Sequence, residues 1–334
     1  MPLATTEPVA DFSLSDIQAA AARIDGVVRC TPLLESARLN DRIGGRLLVK
    51  AECLQHTGSF KFRGAYNRLA AMDPETRGRG ILAYSSGNHA QGVARAAQMF
   101  GVPATIIMPR DAPAMKQRNT AEYGATIVLY DRHGESREAI GRQIAADQGL
   151  TLVKPYDDPL IMAGQGTSGL ECARQCAALD AVPDLALAPT GGGGLMAGFS
   201  TAMKAAFPDL RLFAVEPEGY DDTARSLQSG TRVANTATPA SICDAIMTPE
   251  PGELTFPVNQ RTLAGGLTVS DGEVRKAMAD AFAELKIVIE PGGCVALAAV
   301  LAGKLPVAGR TVVVVASGGN VDPALFADIL AQAT

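Results

Sequence analysis

Apolar, β-branched runs recur along the chain at 46–51, 80–84, 103–109, 125–130, 183–189, 210–216 and 311–316, separated by stretches with apolar positions at helical spacing. The pattern predicts strands in those runs. It predicts helices over 87–100, 113–123, 134–148, 160–180, 194–207, 270–284 and 322–332, after a first helix beginning near Ser13 to Asp16. Alternation of this kind points to a parallel α/β architecture rather than separate all-α and all-β domains. Runs such as Thr311-Val-Val-Val-Val-Ala316 are apolar on both faces, as strands covered by helices on each side require. There is no internal repeat and no low-complexity linker. The Thr231–Pro251 stretch, rich in Thr, Ala and Pro, reads as an irregular wrap over the surface.

Composition narrows the class. A 334-residue chain that is 47% hydrophobic can build two compact lobes or one large α/β domain with an inserted subdomain. Thirty basic and thirty-five acidic residues give a net charge of −5 with no basic block, which argues against nucleic-acid binding. Met1–Ala10 lacks a basic region followed by an apolar core, and no segment approaches the roughly 18 apolar residues of a membrane span. A cytoplasmic protein with no membrane partner is expected. The six cysteines show no Cys-x-x-Cys pair, and Cys172 and Cys176, one helical turn apart, read as core packing rather than a metal site.

The chemistry lies where strands run into turns. Ser85-Ser-Gly-Asn-His-Ala-Gln-Gly92, Gly191-Gly-Gly-Gly-Leu195 and Ser317-Gly-Gly-Asn320 each follow an apolar run. In an open parallel sheet such carboxyl-terminal strand ends converge on one crevice, which is where ligands bind. A fourth segment, Ser59-Phe-Lys-Phe-Arg-Gly-Ala65, sets Lys61 beside an aromatic ring at a helix start. Lys61 reads as a Schiff-base lysine, an amine able to condense with an aldehyde cofactor; taken alone, a lysine is more often a solvated surface charge. Gly191, Gly192, Gly193 and Gly194 let the backbone curl so that several N–H groups face one anion at a helix amino terminus, which favours a phosphate over a merely flexible turn. No Gly-x-Gly-x-x-Gly turn followed by a spaced acid is present, which weakens a nicotinamide-dependent reading. Asn88 could instead cap the following helix, Phe60 could be ordinary core, and Ser317 could cap the last helix.

The order and spacing of Ser-Phe-Lys, Ser-Ser-Gly-Asn-His, the tetraglycine, Val215-Glu-Pro217, Glu290-Pro-Gly292 and Ser317-Gly-Gly-Asn-Val-Asp322 are similar to those of the fold-type II pyridoxal phosphate (PLP) enzymes. Within that group the chain resembles the serine racemase, serine/threonine dehydratase and 3-hydroxyaspartate dehydratase family over nearly its whole length. The resemblance implies a tryptophan synthase β-like α/β fold with two open parallel-sheet lobes. The small lobe, 80–157, is inserted in a large lobe formed by 1–79 and 158–334, with PLP between them.

The resemblance also implies roles. Phe60 covers a ring face, Lys61 holds the cofactor, Asn88 bonds the ring oxygen, the four glycines hold the phosphate, and Ser317 faces the pyridine nitrogen. Ser85, Ser86, Asn88 and His89 surround the substrate carboxylate. Ser86 stands across the Cα from Lys61, where many dedicated threonine dehydratases carry Ala, and so points to the racemase and 3-hydroxyaspartate dehydratase side. Arg137 matches a position that reaches a distal substrate group, which suits a second carboxylate, although a helical Arg beside acids is commonly a surface ion pair. Glu216, the carbonyl of Tyr220 and Asp222 match a site for Mg²⁺, or for Ca²⁺ or Mn²⁺.

Gly293, Cys294 and Cys243-Asp-Ala245 depart from the usual residues at the pocket rim and leave substrate preference open. The expected activity is a dehydratase (ammonia-lyase) acting on serine, threonine or 3-hydroxyaspartate. The alternative is an amino-acid racemase using Lys61 and Ser86, and a regulator without catalysis is disfavoured by the intact lysine and phosphate loop. A homodimer is expected, and with so short a stretch after Ser317-Gly-Gly-Asn320 no C-terminal regulatory domain is expected.

Overall fold

The structure is a computed structural model that describes residues 12–85, 87–112, 114–131, 134–236 and 241–332. Among these residues ten strands form two sheets. Strands β1 (Leu33–Glu35), β2 (Arg46–Lys50), β7 (Leu185–Pro189), β8 (Arg211–Pro217), β9 (Gly265–Val269) and β10 (Thr311–Val315) make one, in the order β1-β2-β10-β7-β8-β9. Strands β3 (Ile81–Tyr84), β4 (Ala104–Pro109), β5 (Thr126–Tyr130) and β6 (Thr151–Leu152) make the other, in the order β5-β4-β3-β6. Every pairing is parallel except β1 with β2, which puts an antiparallel strand on one edge.

The seven predicted strands are all present within two residues of their expected ends, as are most predicted helices. Two helices differ. The 134–148 helix begins only at Arg137, where Ser136 caps it by accepting from the Ala139 N–H. The 270–284 helix is α-helical over Asp271–Asp280, then widens into a π turn over Ala281–Leu285 that Lys286 ends at φ 58°. Within 231–251, the described residues hold only a single 3₁₀ turn, Asp244–Ile246.

Side-chain alternation explains why the strands are apolar throughout. Val312 and Val314 face the core beneath helix Pro291–Leu301, whereas Val313 and Val315 face the core beneath helices Pro159–Ala178 and Gly194–Ala206. The smaller sheet repeats the arrangement: Ile81, Ala83 and Ile106 turn to one side, and Leu82 and Ile107 to the other.

Helix Lys61–Ala70 packs on helices from both sheets, Asn88–Phe100 and Pro159–Ala178. It is fixed by a buried charge network. Fully buried Arg63 donates from Nε and Nη2 to Glu52 at 2.8 Å each and reaches Glu171 at 3.2 Å, while buried Lys50 pairs with the same Glu171. A bidentate guanidinium with two carboxylates resists rotation of the helix that carries it, two residues from Lys61. Cys172 and Cys176 are both fully buried. Among the described residues no helix is long and apolar enough to cross a membrane.

Candidate active site

The turns after β3, β7 and β10 open into one cavity of about 760 Å³, a size suited to a cofactor with a small substrate. Phe60, Lys61, Ser85, Asn88, His89, Arg137, all four glycines of 191–194 and Ser317 line it. Sequence-distant residues singled out for one site therefore do share one. Ser86 lies outside the described residues, and Glu216, Tyr220 and Asp222 lie elsewhere.

Lys61 is the first residue of its helix, and its amine points across the cavity, donating to the Pro155 carbonyl at 2.7 Å. It stands 5.2 Å from the centre of the Phe60 ring. With no carboxylate beside it, desolvation pushes its pKa from 10.5 down to about 8. At neutral pH a useful share of the amine is therefore unprotonated, the form that attacks an aldehyde or removes a proton.

The glycine turn joins β7 to helix Gly194–Ala206. A Cβ on Gly192 would fall 2.4 Å from three carbons of the Tyr156 ring. Gly193 has φ 88°, and a Cβ there would meet the Asn259 amide at 2.6 Å and the Thr255 hydroxyl at 2.9 Å. Both positions therefore require glycine, and the turn lines the cavity at a helix amino terminus. Such a cradle fits a phosphate.

Asn88 does not cap its helix. Its Nδ2 donates to Glu290 at 2.5 Å, and its Oδ1 accepts from Asn320 at 2.8 Å. Because the Asn320 amide can only donate to Asn88 Oδ1, the Asn88 amide is fixed with its N–H groups on the Glu290 side. Glu290 is fully buried and its Oε2 has no partner; burial, with Asp244 adding and Lys116 and Asn88 opposing, raises its pKa from 4.5 to about 7. Ser317 does not cap the last helix either, because Asp322 accepts from the N–H groups of Ala324 and Leu325. Ser317 is buried against the cavity instead.

At the other wall, the Ser85 hydroxyl accepts from the Gly87 N–H at 3.2 Å and so tightens its loop. His89 Nε2 bonds the Val153 carbonyl at 2.9 Å, which requires the proton on Nε2 and leaves Nδ1 as a buried acceptor. Burial and nearby Lys61 push its pKa down to about 3, so the ring is neutral. Arg137 pairs with its neighbour Glu138 at 2.7 Å and stands over the Tyr84 ring at 5.2 Å, with 45% of its side chain exposed.

Glu216 and Asp222 are buried together. Glu216 accepts from the backbone N–H groups of Thr223 and Ala224, and Asp222 Oδ1 accepts from Asn235 at 2.6 Å, leaving Asp222 Oδ2 buried without a partner. Desolvation first, then Asp222, raises Glu216 to about 8; desolvation raises Asp222 to about 6. Two adjoining buried carboxylates with an orphaned oxygen form a donor set that suits a hard cation.

The residues around the cavity thus fit an aldehyde-bearing aromatic phosphate. The family model described as pyridoxal-phosphate dependent enzyme matches residues 24–318. The chain belongs to that family. It is 43% identical over 315 residues to the L-threo-3-hydroxyaspartate ammonia-lyase of Saccharomyces cerevisiae, covering 94% of this chain and 95% of that protein. Among solved structures, a T.th. threonine deaminase matches with a TM-score of 0.87 and 45% identity, over 93% of this chain and 99% of the other. Maize serine racemase matches with a TM-score of 0.89 and 34% identity, over 96% and 97%. The fold-type II architecture expected from the sequence is therefore the one found.

Several cavity residues of this family member carried no local signal. Tyr156 and Lys116 sit in ordinary-looking stretches, and Glu290 stood out only as part of a Glu-Pro-Gly motif. The partner that gives Glu290 meaning, Asn88, is 202 positions away.

Proposed function

We propose that the protein is a PLP-dependent ammonia-lyase of β-hydroxy amino acids, with 3-hydroxyaspartate, serine and threonine as the substrate class. The observation that carries this reading is a desolvated amine, Lys61, in one cavity with a glycine cradle and a serine loop. The relatives' activities support the same class. When bound, PLP supplies an aldehyde carbon for Lys61 or the substrate amine and an electron-withdrawing ring that acidifies the substrate Cα.

The cradle of Gly191–Gly194 would bind the phosphate, Phe60 would cover one ring face, and Asn88 would donate an N–H to the ring oxygen. Ser317 would offer a hydroxyl to the ring nitrogen, which would leave that nitrogen less positive than a carboxylate would and favour expelling a β-substituent. The Ser85–His89 loop binds the substrate α-carboxylate, with Ser85 and Ser86 as hydroxyl donors and His89 anchoring the loop to Val153. The Lys61 amine would take the substrate Cα proton, and the β-hydroxyl would leave as water once a proton donor in the cavity protonates it. In water the resulting enamine tautomerises and hydrolyses to a 2-oxo acid and ammonia.

We take 80–157 as a small lobe inserted into a large lobe of 1–79 and 158–334, and the active form as a homodimer. Glu216, the Tyr220 carbonyl and Asp222 bind Mg²⁺ or a similar cation that steadies the strand β8 end. Adding Mg²⁺ should raise the thermal midpoint and chelation should lower it, read by calorimetry; no shift with either would remove the cation from this account.

Turnover decides the substrate class. The PLP-loaded protein is given L- and D-serine, L-threonine and the 3-hydroxyaspartate stereoisomers separately, and 2-oxo acid and chirality are measured together. Oxo-acid release ranks the substrates; inverted amino acid without oxo acid would make the protein a racemase working through Lys61 and Ser86.

A further inference from the structure

The cations lining the cavity differ in what they are free to do. Lys61 is committed to the cofactor in the reading above. Arg232 is tied at the rim to Glu250 at 2.9 Å, to Glu253 at 3.4 Å and to the Pro251 carbonyl. Arg137 is paired to Glu138 and nearly half in water, where an ion pair discriminates weakly.

Lys116 is different. It lies on helix Ala114–Glu122, with its side chain only 7% exposed, and its Nζ stands 3.8 Å from where a side chain on Gly87 would begin. It is therefore a buried cation at the backbone of the serine loop. Its partner comes from the opposite wall: Asp244, on the 3₁₀ turn Asp244–Ile246, accepts from Lys116 at 2.5 Å across a separation of 128 residues. The Asp244 side chain is 46% exposed.

That asymmetry decides which partner can move. A buried ammonium needs an anion beside it, whereas Asp244 can swing out into water at little cost. A substrate whose α-carboxylate rests on the serine loop and which bears a second carboxylate two carbons away can replace Asp244, exchanging one carboxylate for another. Serine and threonine bring no second carboxylate and leave the internal pair intact.

We propose that Lys116 determines substrate specificity: its ammonium binds the distal carboxylate of an acidic β-hydroxy amino acid, and Asp244 is the internal anion that occupies that place beforehand. This rests on the ammonia-lyase reading of the same site. Its residues also make the distinction from Arg137 testable, because the two cations sit on different helices.

The test uses the PLP-loaded protein and two readouts. The first is the ratio of kcat/KM for L-threo-3-hydroxyaspartate to that for L-serine. The second is the dissociation constant of succinate, a dicarboxylate, against that of propionate. Lys116→Gln should lower the kcat/KM ratio about 100-fold and weaken succinate far more than propionate, since it removes a buried charge partner. Lys116→Arg should restore part of both. Asp244→Asn should tighten succinate several-fold without tightening propionate, an effect that a merely structural ion pair would not give.

An unchanged ratio in Lys116→Gln, the full loss appearing in Arg137→Gln, or weaker succinate binding in Asp244→Asn would each overturn the assignment. Should Lys116→Gln fail to fold, the Asp244→Asn result alone decides it. Were the wild type to release no oxo acid from any β-hydroxy amino acid, the lyase reading would fall, while succinate binding would still judge Lys116.

Discussion

The two walls of the cavity are held in different ways. The wall on the larger sheet is made of backbone and buried side chains: the glycine turn after β7, and Lys61 on a helix locked by the Arg63 network. The wall on the smaller sheet presents long side chains in ion pairs: Arg137 with Glu138, both reaching water, and Lys116 with Asp244 from the opposite wall, of which only Asp244 reaches water. Backbone geometry is intolerant of change and suits an unvarying cofactor. Ion pairs that can be exchanged suit a variable substrate. On the proposed reading, cofactor retention therefore falls mainly to the first wall, helped by Asn88, and substrate choice to the second.

The harshest way to probe it is Lys61→Ala, which should cut turnover by on the order of 10⁴-fold for every substrate and erase the visible absorbance of lysine-bound cofactor. Retention of both would undo the assignment of the first wall. On the proposed reading, Ser86→Ala should suppress one enantiomer of serine about 100-fold more than the other, measured as separate kcat/KM values. Equal losses would mean that the hydroxyl only holds the carboxylate.

Gly192→Ala sharpens the contrast without touching a functional group. Its Cβ would enter the Tyr156 ring, so cofactor affinity should fall roughly tenfold in a fluorescence titration, with stability lower by about 1–3 kcal/mol. Unaltered affinity would show that the turn does not carry the phosphate.

The mildest test concerns Glu290, which joins the walls through Asn88. Its carboxyl, raised from 4.5 to about 7, keeps a proton in the folded cofactor-free protein that the unfolded chain has already released. Its stabilising contribution is complete below pH 4.5 and is lost as pH rises through about 7. Glu290→Gln should flatten that limb by on the order of 2 kcal/mol between about pH 5 and about pH 8, measured by chemical denaturation. An unchanged pH slope would exclude Glu290 as the group responsible.

The same contrast governs what was legible in the sequence. Strand β10 announced itself because Val312–Val315 are buried on both faces, and Lys61 and the tetraglycine because their chemistry is local. Helix Pro291–Leu301 escaped prediction because residues 291–300 are buried on every side, so no polar face marks its period. Strand β9 opens with Gly265-Gly266, which strand patterns disfavour, and β1 and β6 are too short to register. On the substrate wall, Lys116 acquires a role only from Asp244, and Asn88 its orientation only from Glu290 and Asn320. Such pairings are set by how the two sheets face one another, which no local pattern encodes.

The most direct measurement is a progress curve on L-threo-3-hydroxyaspartate with the PLP-loaded protein, following ammonia, 2-oxo acid and the chirality of the remaining amino acid. The account predicts equal amounts of ammonia and oxo acid for each amino acid consumed, with no build-up of the opposite configuration at Cα. Inverted amino acid without ammonia, or no consumption of this or any other β-hydroxy amino acid, would contradict it.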